Sequence, residues 1–451
     1  MRLLMVGADL PALAAAGPDV EVTVLLGATT KDGWLPLPGG VRTVFVDDHK
    51  SIDAAVNGLL RAGFGPGSFD AVYAYDDPAL MTAAALAAML GARGIPPRTV
   101  ALFRDKSLQK QALRAAGLPV TACTVVEDIR ELPAGFRLPY PKAVVKPVAG
   151  MATQSTYVVD GDADLARISA QCRANNTAAR TFVIEEFVTG EEWFADGFLS
   201  GGELRFLSLG RYAQPCLSAV LDKAPVQTYC LDPVADKESY DLAAPLVTEA
   251  LRVLGLADGV FHMELFHQPD TGRLVFSECA ARRAGGPISD QIRYKYGVDL
   301  AGDGVRALLE SVGEPDVRVR EGVVASTFLP LRPGIVLGYP TAEQVLAQPD
   351  VVHARMFVPK GMRVQGGAAN TFARMGEVTV HTADAATAQR RLTELADWFR
   401  QHIEVLPLAP TLRELYTDPR NADFVHAAAA AHGDPAPHGD PAAHGDSALR
   451  D

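Results

Sequence analysis

The stretch from residue 260 to residue 288, VFHMELFHQPDTGRLVFSECAARRAGGPI, constrains the fold more than any other part of the chain. Two mostly apolar runs, FHMELF and RLVFSE, flank the turn-forming residues Pro269–Gly272, which predicts an antiparallel β-hairpin. Each predicted strand carries one glutamate, Glu264 or Glu278, and strand pairing can place the two carboxylates side by side. Neighbouring carboxylates repel each other unless a divalent cation lies between them. A hairpin with exposed acids is the alternative interpretation.

Composition limits the kind of protein that this chain can be. Its 451 residues are enough for several domains, and 48% apolar with 21% charged residues is typical of a globular protein. The net charge of −12 argues against a general nucleic-acid binder, which needs a basic surface. Five scattered cysteines without CxxC spacing indicate reduced thiols in a cytoplasmic protein. We expect no membrane partner, because no apolar run has the length of a membrane span and the N-terminus does not resemble a signal peptide.

Residues 1 to about 105 alternate strand and helix patterns. Helices are predicted over 51–62 and 78–92, and strands near 3–6, 20–25, 41–46 and 69–75. Such alternation predicts a parallel sheet with helices on its faces. The first turn, Gly7–Asp9, lacks the GxGxxG spacing of a dinucleotide site. We therefore interpret this domain as a scaffold that also contributes to a substrate pocket.

A lysine-bearing strand and a loop of small residues follow. A helix pattern starts after Lys106, and the run YPKAVVKP predicts a strand that ends at Lys146–Pro147. The next residues, VAGMATQST, form a flexible loop, which in this position can cover phosphates. A surface hairpin explains the loop equally well when it is taken alone. Four glutamates between residues 185 and 192 are typical of a solvated face.

The C-terminal part of the chain changes character twice. From about residue 309 the pattern is that of an α+β unit, with a helix predicted over 384–402. After about residue 416 the periodicity is lost, and the chain ends in a near-repeat of His-Gly-Asp. Alanine, proline, glycine and aspartate without core-forming residues predict a disordered tail. Weak metal binding by the spaced histidines is the alternative.

The order and spacing of these motifs resemble those of the ATP-grasp superfamily of carboxylate–amine ligases. Within that superfamily, they resemble the bacterial L-amino-acid ligases that make dipeptides. The similarity covers residues 1 to about 415, and its motifs lie between Lys106 and Gly286. It implies the ATP-grasp fold, a mixed α/β and α+β architecture. The implied segments are an N-terminal Rossmann-like α/β domain (1–105), a two-lobed ATP-binding region (106–308) with a small closing lobe at about 120–190, a C-terminal α+β part (309–416) and the disordered tail (417–451).

The resemblance also implies roles for individual residues. Four residues are expected to contact the phosphates of ATP: Lys106, Lys146, Gly150 and Thr153. Glu185 and the backbone of Phe187 and Val188 are expected to contact the adenine, and Glu192 the ribose. Glu264 and Glu278 are expected to bind Mg²⁺, or Mn²⁺ in its place. Arg282 is expected to be catalytic, because it would stabilise an acyl-phosphate and the charge that follows it.

Two positions depart from the family pattern. The usual Glu-x-Asn-x-Arg is here Glu278-Cys279-Ala280-Ala281-Arg282, so one oxygen ligand is absent. Either water fills that position, since magnesium retains water readily, or a second metal site is weakened. The phosphate loop has Ala152-Thr153 where many members have Gly-Ser, although Thr153 still offers a hydroxyl.

The implied activity is ATP-dependent ligation. Phosphoryl transfer from ATP converts a small carboxylate, such as an amino acid, into an acyl-phosphate, and an amine then displaces the phosphate to give an amide or dipeptide. The expected partners are these small molecules and a second copy of the chain in a homodimer. Two alternatives stay open: an ATP-grasp carboxylase that acts through carboxyphosphate, and an ATP-binding regulatory protein without turnover.

Overall fold

Four β-sheets and the helices packed on them make up the part of the chain that the structure describes. A computed structural model covers residues 1–28, 37–133, 135–222, 224–310, 312–364 and 374–408. The predicted tail, residues 417–451, lies outside the described residues. Within those ranges no helix is both long enough and apolar enough to cross a membrane.

The N-terminal domain is built on a parallel sheet. Its elements are β1 (Arg2–Val6), α1 (Leu10–Ala15), β2 (Glu21–Gly27), β3 (Arg42–Val46), α2 (Ile52–Arg61), β4 (Ala71–Ala74), α3 (Leu80–Leu90) and α4 (Pro97–Arg104). The strand order is β3-β2-β1-β4, all parallel, which confirms the prediction from the alternating pattern. Leu4 and Val6 pack against α2 and α3, and Leu3 and Met5 pack on the opposite face with α1. The strands are therefore apolar on both faces, as buried parallel strands are.

A four-stranded antiparallel sheet forms a small lobe. Its elements are α5 (Lys106–Ala115), which precedes it, then β5 (Cys123–Val126), β6 (Lys142–Pro147), β7 (Tyr157–Asp160), α6 (Asp162–Ala174) and β8 (Phe182–Glu186). The order is β5-β8-β6-β7. Val145 and Ile184 pack under α6, whereas the alternate residues Lys146 and Glu185 point away from that core.

The largest sheet has eight antiparallel strands in the order β13-β12-β9-β10-β11-β14-β18-β16, beside a small sheet ordered β17-β15-β19. The elements are β9 (Glu191–Ser200), β10 (Glu203–Tyr212), α7 (Cys216–Leu221), β11 (Gln227–Cys230), α8 (Lys237–Leu254), β12 (Gly259–Gln268), β13 (Arg273–Ala280), α9 (Ile288–Tyr296), α10 (Leu300–Leu309), β14 (Val323–Pro330), β15 (Gly334–Gly338), α11 (Ala342–Leu346), β16 (Val351–Met356), β17 (Arg363–Val364), β18 (Arg374–Thr382), α12 (Ala385–Gln401) and β19 (Glu404–Leu406). Strands from both sides of residue 308 thus share one sheet.

Helix α10 joins the N-terminal domain to the eight-stranded sheet, which we call the central sheet. Its Val305 and Leu308 are buried with Leu3 and Met5 of the parallel sheet. Leu300, at the start of the same helix, packs with Val260 of β12 and with α9. The helix therefore contacts both sheets, which holds the N-terminal domain against the strands that carry the predicted metal ligands.

The predicted hairpin is confirmed as β12 and β13. Met263 and Phe276 point into a core covered by α5 and α8, which leaves Glu264 and Glu278 on the opposite face. The strand register shifts beside this pair, from Glu264 opposite Glu278 to Leu265 opposite Phe276. Ser277 is the extra residue of this β-bulge, and bulges of this kind re-aim groups near functional sites.

Candidate active site

A cavity of about 790 Å³ lies where the small lobe, the central sheet and the N-terminal domain meet. The residues that the family resemblance singled out all line it: Lys106, Lys146, Gly150, Thr153, Glu185, Phe187, Val188, Glu192, Glu264, Glu278 and Arg282. They come from distant parts of the sequence, so the fold brings the predicted set together. Their individual roles stay predictions.

Three glutamates face this cavity from neighbouring strands. Glu264 on β12 lies directly opposite Glu278 on β13, and Glu192 stands on β9, along the other edge of β12. Burial, together with the negative charge of Glu264, raises the pKa of Glu192 to about 8. Carboxylate oxygens are the donors that Mg²⁺ prefers, so Glu264 and Glu278 have both the chemistry and the position to hold it.

Two lysines neutralise Glu278. Lys146 Nζ donates to Glu278 Oε2 at 2.9 Å, and Lys106 Nζ lies 3.6 Å from the same oxygen. Burial alone would raise the pKa of Glu278, but Lys106 and Lys146 hold it well below its usual range. Burial would likewise lower the pKa of Lys146, but Glu185 and Glu278 raise it. The predicted phosphate ligands and a predicted metal ligand therefore pair with each other here.

Lys110 is a buried member of this charge network that the sequence analysis missed. It is fully buried, its Nζ donates to Glu185 Oε1 at 2.8 Å, and it also donates to the carbonyl of Ser277, the bulged residue. Burial lowers the pKa of Lys110, and Glu185 offsets only part of that effect. The signal in the sequence was its position four residues after Lys106 on one helix, which places both on the same face.

The carboxylate of Glu185 is occupied by lysines rather than open to a nucleotide. One oxygen bonds Lys110, and the other lies 3.3 Å from Lys146. A carboxylate that is only 3% exposed needs such partners, because an unpaired buried charge is costly. The adenine role of this side chain stays a prediction, whereas the backbone of Phe187 and Val188 at the cavity edge is the stronger candidate for that contact.

The phosphate loop carries backbone strain at the positions that depart from the family pattern. Ala152 and Thr153 have φ of 51° and 58°, left-handed values that favour glycine. Lys106 Nζ donates to the Gly150 carbonyl at 2.9 Å, which ties the loop to α5. Thr153 Oγ1 is buried without a hydrogen-bond partner among the described residues. A buried hydroxyl of this kind fits the predicted contact with a phosphate oxygen.

Arg282 is oriented by the N-terminal domain. Its Nε donates to Asp77 Oδ2 at 2.6 Å, and its Nη1 donates to the Arg283 carbonyl at 2.7 Å. Burial would lower the pKa of Arg282, but Asp77 raises it. Asp77 follows β4 and lines the cavity, so the N-terminal domain does contribute to the pocket, as predicted.

A second buried pair, Asp196 and His262, lies beside Glu264. Asp196 on β9 is fully buried, and its Oδ1 lies 3.1 Å from His262 Nδ1. His262 Nε2 lies 3.7 Å from Glu264 Oε1. Burial would lower the pKa of His262, but Asp196 outweighs it and raises the pKa to about 10. A protonated imidazole therefore stands next to one predicted metal ligand.

The geometry defines an ATP-grasp fold, and residues 138–291 match the ATP-grasp domain family. The fold and this match confirm the resemblance to the ATP-grasp superfamily. Among solved structures, the chain is similar to an L-amino acid ligase from Bacillus licheniformis, with a TM-score of 0.71, 19% identity, and coverage of 90% of this chain and 99% of that one. It is also similar to a carboxyaminoimidazole ribonucleotide synthase from Aspergillus clavatus complexed with ATP, with a TM-score of 0.67, 17% identity, and coverage of 89% and 98%.

Two relatives found by sequence comparison have more specific names. The chain is 24% identical over 361 residues to an L-arginine-specific L-amino acid ligase of Bacillus subtilis, a match that covers 76% of this chain and 84% of that protein. It is 28% identical over 289 residues to carnosine synthase 1 of Gallus gallus, covering 60% of this chain and 30% of that protein. The resemblance to amino-acid ligases is therefore confirmed.

Restoring asparagine at position 280 tests the departure from the family pattern. Ala280 lines the cavity two residues beyond Glu278 on the same strand, so both side chains share one face. We expect Ala280→Asn to lower the Mg²⁺ concentration for half-maximal phosphate release, because it adds an oxygen donor. Ala280→Leu, which is similar in size but has no oxygen, is the control. The same shift in both variants would contradict the placement of the metal.

The raised pKa of Glu192 predicts a pH effect on stability in the presence of a chelator. The folded chain retains a proton that the unfolded chain releases between about pH 4.5 and pH 8. Stability should therefore fall as pH rises through this window, by up to about 1.4 kcal/mol per pH unit for one proton. Thermal unfolding at several pH values should show a smaller decline for Glu192→Gln than for the wild type. Parallel profiles would rule out a proton on Glu192.

Proposed function

We propose that this chain is an ATP-dependent ligase that activates a small carboxylate as an acyl-phosphate and joins it to an amine, with ADP and phosphate released. The observation that carries this proposal is the convergence of Lys106 and Lys146, the carboxylate pair Glu264 and Glu278, and Arg282 on one cavity. The relatives that are named amino acid ligases support an amino acid as the carboxylate and a dipeptide or related amide as the product.

Phosphoryl transfer needs positioning and charge neutralisation more than covalent help from the protein. Lys106 and Lys146 approach from helix α5 and from the small lobe, so a triphosphate between them would be held from two sides. The Thr153 hydroxyl and the loop backbone would cover it. Mg²⁺ held by Glu264 and Glu278 would neutralise phosphate oxygens.

The second half-reaction, attack of the amine on the acyl carbon, needs a cation near the developing oxyanion and little water. Arg282 offers the cation, and Asp77 fixes its orientation. Cys216 also lines the cavity, but burial raises the pKa of its thiol, so it is not suited to act as a nucleophile. An acyl-phosphate that reacts directly with the amine requires no covalent enzyme intermediate.

A screen of phosphate release over pairs of amino acids, with product masses measured, tests the proposal. We expect release to require two substrates and to yield a product whose mass is their sum minus one water. Release that depends on bicarbonate would indicate the carboxylase alternative. ATP binding without release under any condition would indicate the regulatory alternative. A homodimer, a cytoplasmic location and the absence of a nucleic-acid partner stay predictions.

Replacing Lys146 with methionine should raise the KM for ATP and lower turnover. The substitution removes one charge-assisted contact to a phosphate, worth about 1.5–3 kcal/mol, or roughly 10- to 150-fold. Steady-state phosphate release over a range of ATP concentrations checks it. Lys237→Met, which removes an exposed lysine paired with Asp241, is the control. ATP kinetics equal to the wild type would reject the phosphate role of Lys146.

A further inference from the structure

Helix α9 covers a polar patch on the far part of the eight-stranded sheet, and no residue in this patch has a role in the proposed reaction. Asp290 from α9, His353 from β16 and Glu377 from β18 each offer one donor atom, and these atoms lie within 4.8 Å of one another. We propose that these three residues bind a divalent transition-metal ion, and we call the cluster the α9 site.

The atoms at the centre of the α9 site lack hydrogen-bond partners among the described residues. Glu377 is 0% exposed, and its Oε2 has no partner. His353 Nε2 is also buried without a hydrogen bond, 3.5 Å from Asp290 Oδ2. Leaving such atoms unpaired costs free energy, and a cation between them would satisfy all three groups at once.

Arginines hold the two carboxylates in place by their outer oxygens. Arg355 Nε donates to Glu377 Oε1 at 3.0 Å, and Arg293 Nη2 donates to Asp290 Oδ1 at 2.8 Å. Each carboxylate therefore keeps its second oxygen for another partner. Because Arg355 stands opposite Glu377 and His353 stands opposite Thr379 in the β16–β18 register, His353 and Glu377 share a face of the sheet. The α9 site is thus ordered before any ion binds.

The donor atoms of the α9 site favour Zn²⁺ over Mg²⁺. One imidazole nitrogen and two carboxylate oxygens suit Zn²⁺, which often has three protein ligands and a water. Mg²⁺ prefers six oxygens and is expected to bind poorly. The site also lies behind the wall of the active-site cavity, because Ile288 at the start of α9 and Arg374 at the start of β18 both line that cavity. A bound ion would tie these two elements together.

Arg355 opposes the ion, since its Nη2 lies 3.9 Å from Asp290 Oδ2 and its charge repels a cation. This gives the proposal a distinctive consequence. If the cluster binds metal, Arg355→Gln should tighten Zn²⁺ binding by roughly tenfold, the effect of one like charge at this distance in a partly exposed site. The gain should disappear when His353→Ala is added to Arg355→Gln, whereas a gain that persists without His353 would indicate non-specific attraction of the cation and overturn the proposal.

The experiment is a Zn²⁺ titration of the full, untagged chain after removal of metals with a chelator, followed by calorimetry. We expect His353→Ala and Glu377→Gln each to bind one Zn²⁺ fewer than the wild type. Glu278→Gln should retain the site, which separates it from the active-site carboxylates. His381→Gln is the matched control, because His381 lies on β18 and under α9 but already contacts Tyr294 and Glu321.

Thermal unfolding gives a second readout. Zn²⁺ should raise the Tm of the wild type more than that of His353→Ala, because an ion that binds only the folded chain stabilises it. Equal stoichiometry and equal Tm shifts in the wild type and His353→Ala would indicate an adventitious ion only and overturn the proposal. If Glu377→Gln fails to fold, the His353→Ala variant still tests the proposal. This variant is expected to fold, because a quarter of the His353 side chain is exposed.

Discussion

Replacing Glu278 with glutamine should lower ATP-dependent phosphate release by roughly 10²–10³-fold, because losing one preorganised electrostatic contact in an active site costs about this factor in turnover. The amide keeps the shape of the side chain but removes the charge that faces Lys146 at 2.9 Å and Lys106 at 3.6 Å. It also removes half of the carboxylate pair that is predicted to hold Mg²⁺. Phosphate release at saturating ATP and Mg²⁺ checks this result.

The stability of Glu278→Gln separates a functional role from a structural one. Two neighbouring carboxylates without cationic partners would be stabilised by neutralising one of them. Here Lys106 and Lys146 lose a partner instead, so we expect a small decrease in Tm. Glu203→Gln, which removes an exposed charge next to Arg205, is the control for a general effect of charge. A folded Glu278→Gln variant with wild-type turnover would place the metal and phosphate chemistry elsewhere.

Replacing Lys110 with methionine should lower the free energy of unfolding by about 3–5 kcal/mol, the cost of leaving a buried charge without its partner. Glu185 would keep only Lys146, at 3.3 Å, and the Ser277 carbonyl would lose its donor. Turnover should also fall, because Glu185 and Lys146 would shift from their present positions. Unfolding followed by circular dichroism measures the first effect and phosphate release the second.

A double-mutant cycle tests whether Lys110 acts through Glu185. The Lys110→Met and Glu185→Met double variant replaces the ion pair with apolar groups, which is often nearly neutral for stability. It should therefore recover much of the stability that Lys110→Met loses, while turnover stays low. A double variant that is less stable than the wild type by the sum of the two single effects would show that the two residues act independently.

The sequence predicted best where local chemistry decides the structure. The β12–β13 hairpin followed from its turn residues and from two apolar runs of strand length. The pairing of β11 with β14, which extends the sheet across residue 308, could not be predicted, because no local pattern encodes which distant strands meet. For the same reason, the contact of α10 with the N-terminal sheet could not be predicted.

The sequence predicted which residues form the candidate site, but not the ion pairs that they make with one another. Lys106, Lys146 and Glu278 were expected at a nucleotide, yet the structure also shows that they pair with one another. Lys110 was missed because a lysine in a helix is normally exposed, and its burial depends on Glu185 from the small lobe and on a bulge in β13. Burial and pairing of charges are tertiary properties that periodicity does not report.

Lysines and glutamates alternate along one row of ion pairs in the cavity, in the order Lys110, Glu185, Lys146, Glu278 and Lys106. This row affects the order in which a metal ion and a nucleotide can enter. Each carboxylate in the row is already satisfied by ammonium groups, so a free metal ion gains little by entering alone. A nucleotide that arrives with its metal offers both an anion for the lysines and a cation for the carboxylates. With the proposed roles of these residues, binding would be an exchange of counter-ions, which would favour joint entry of metal and nucleotide over stepwise entry.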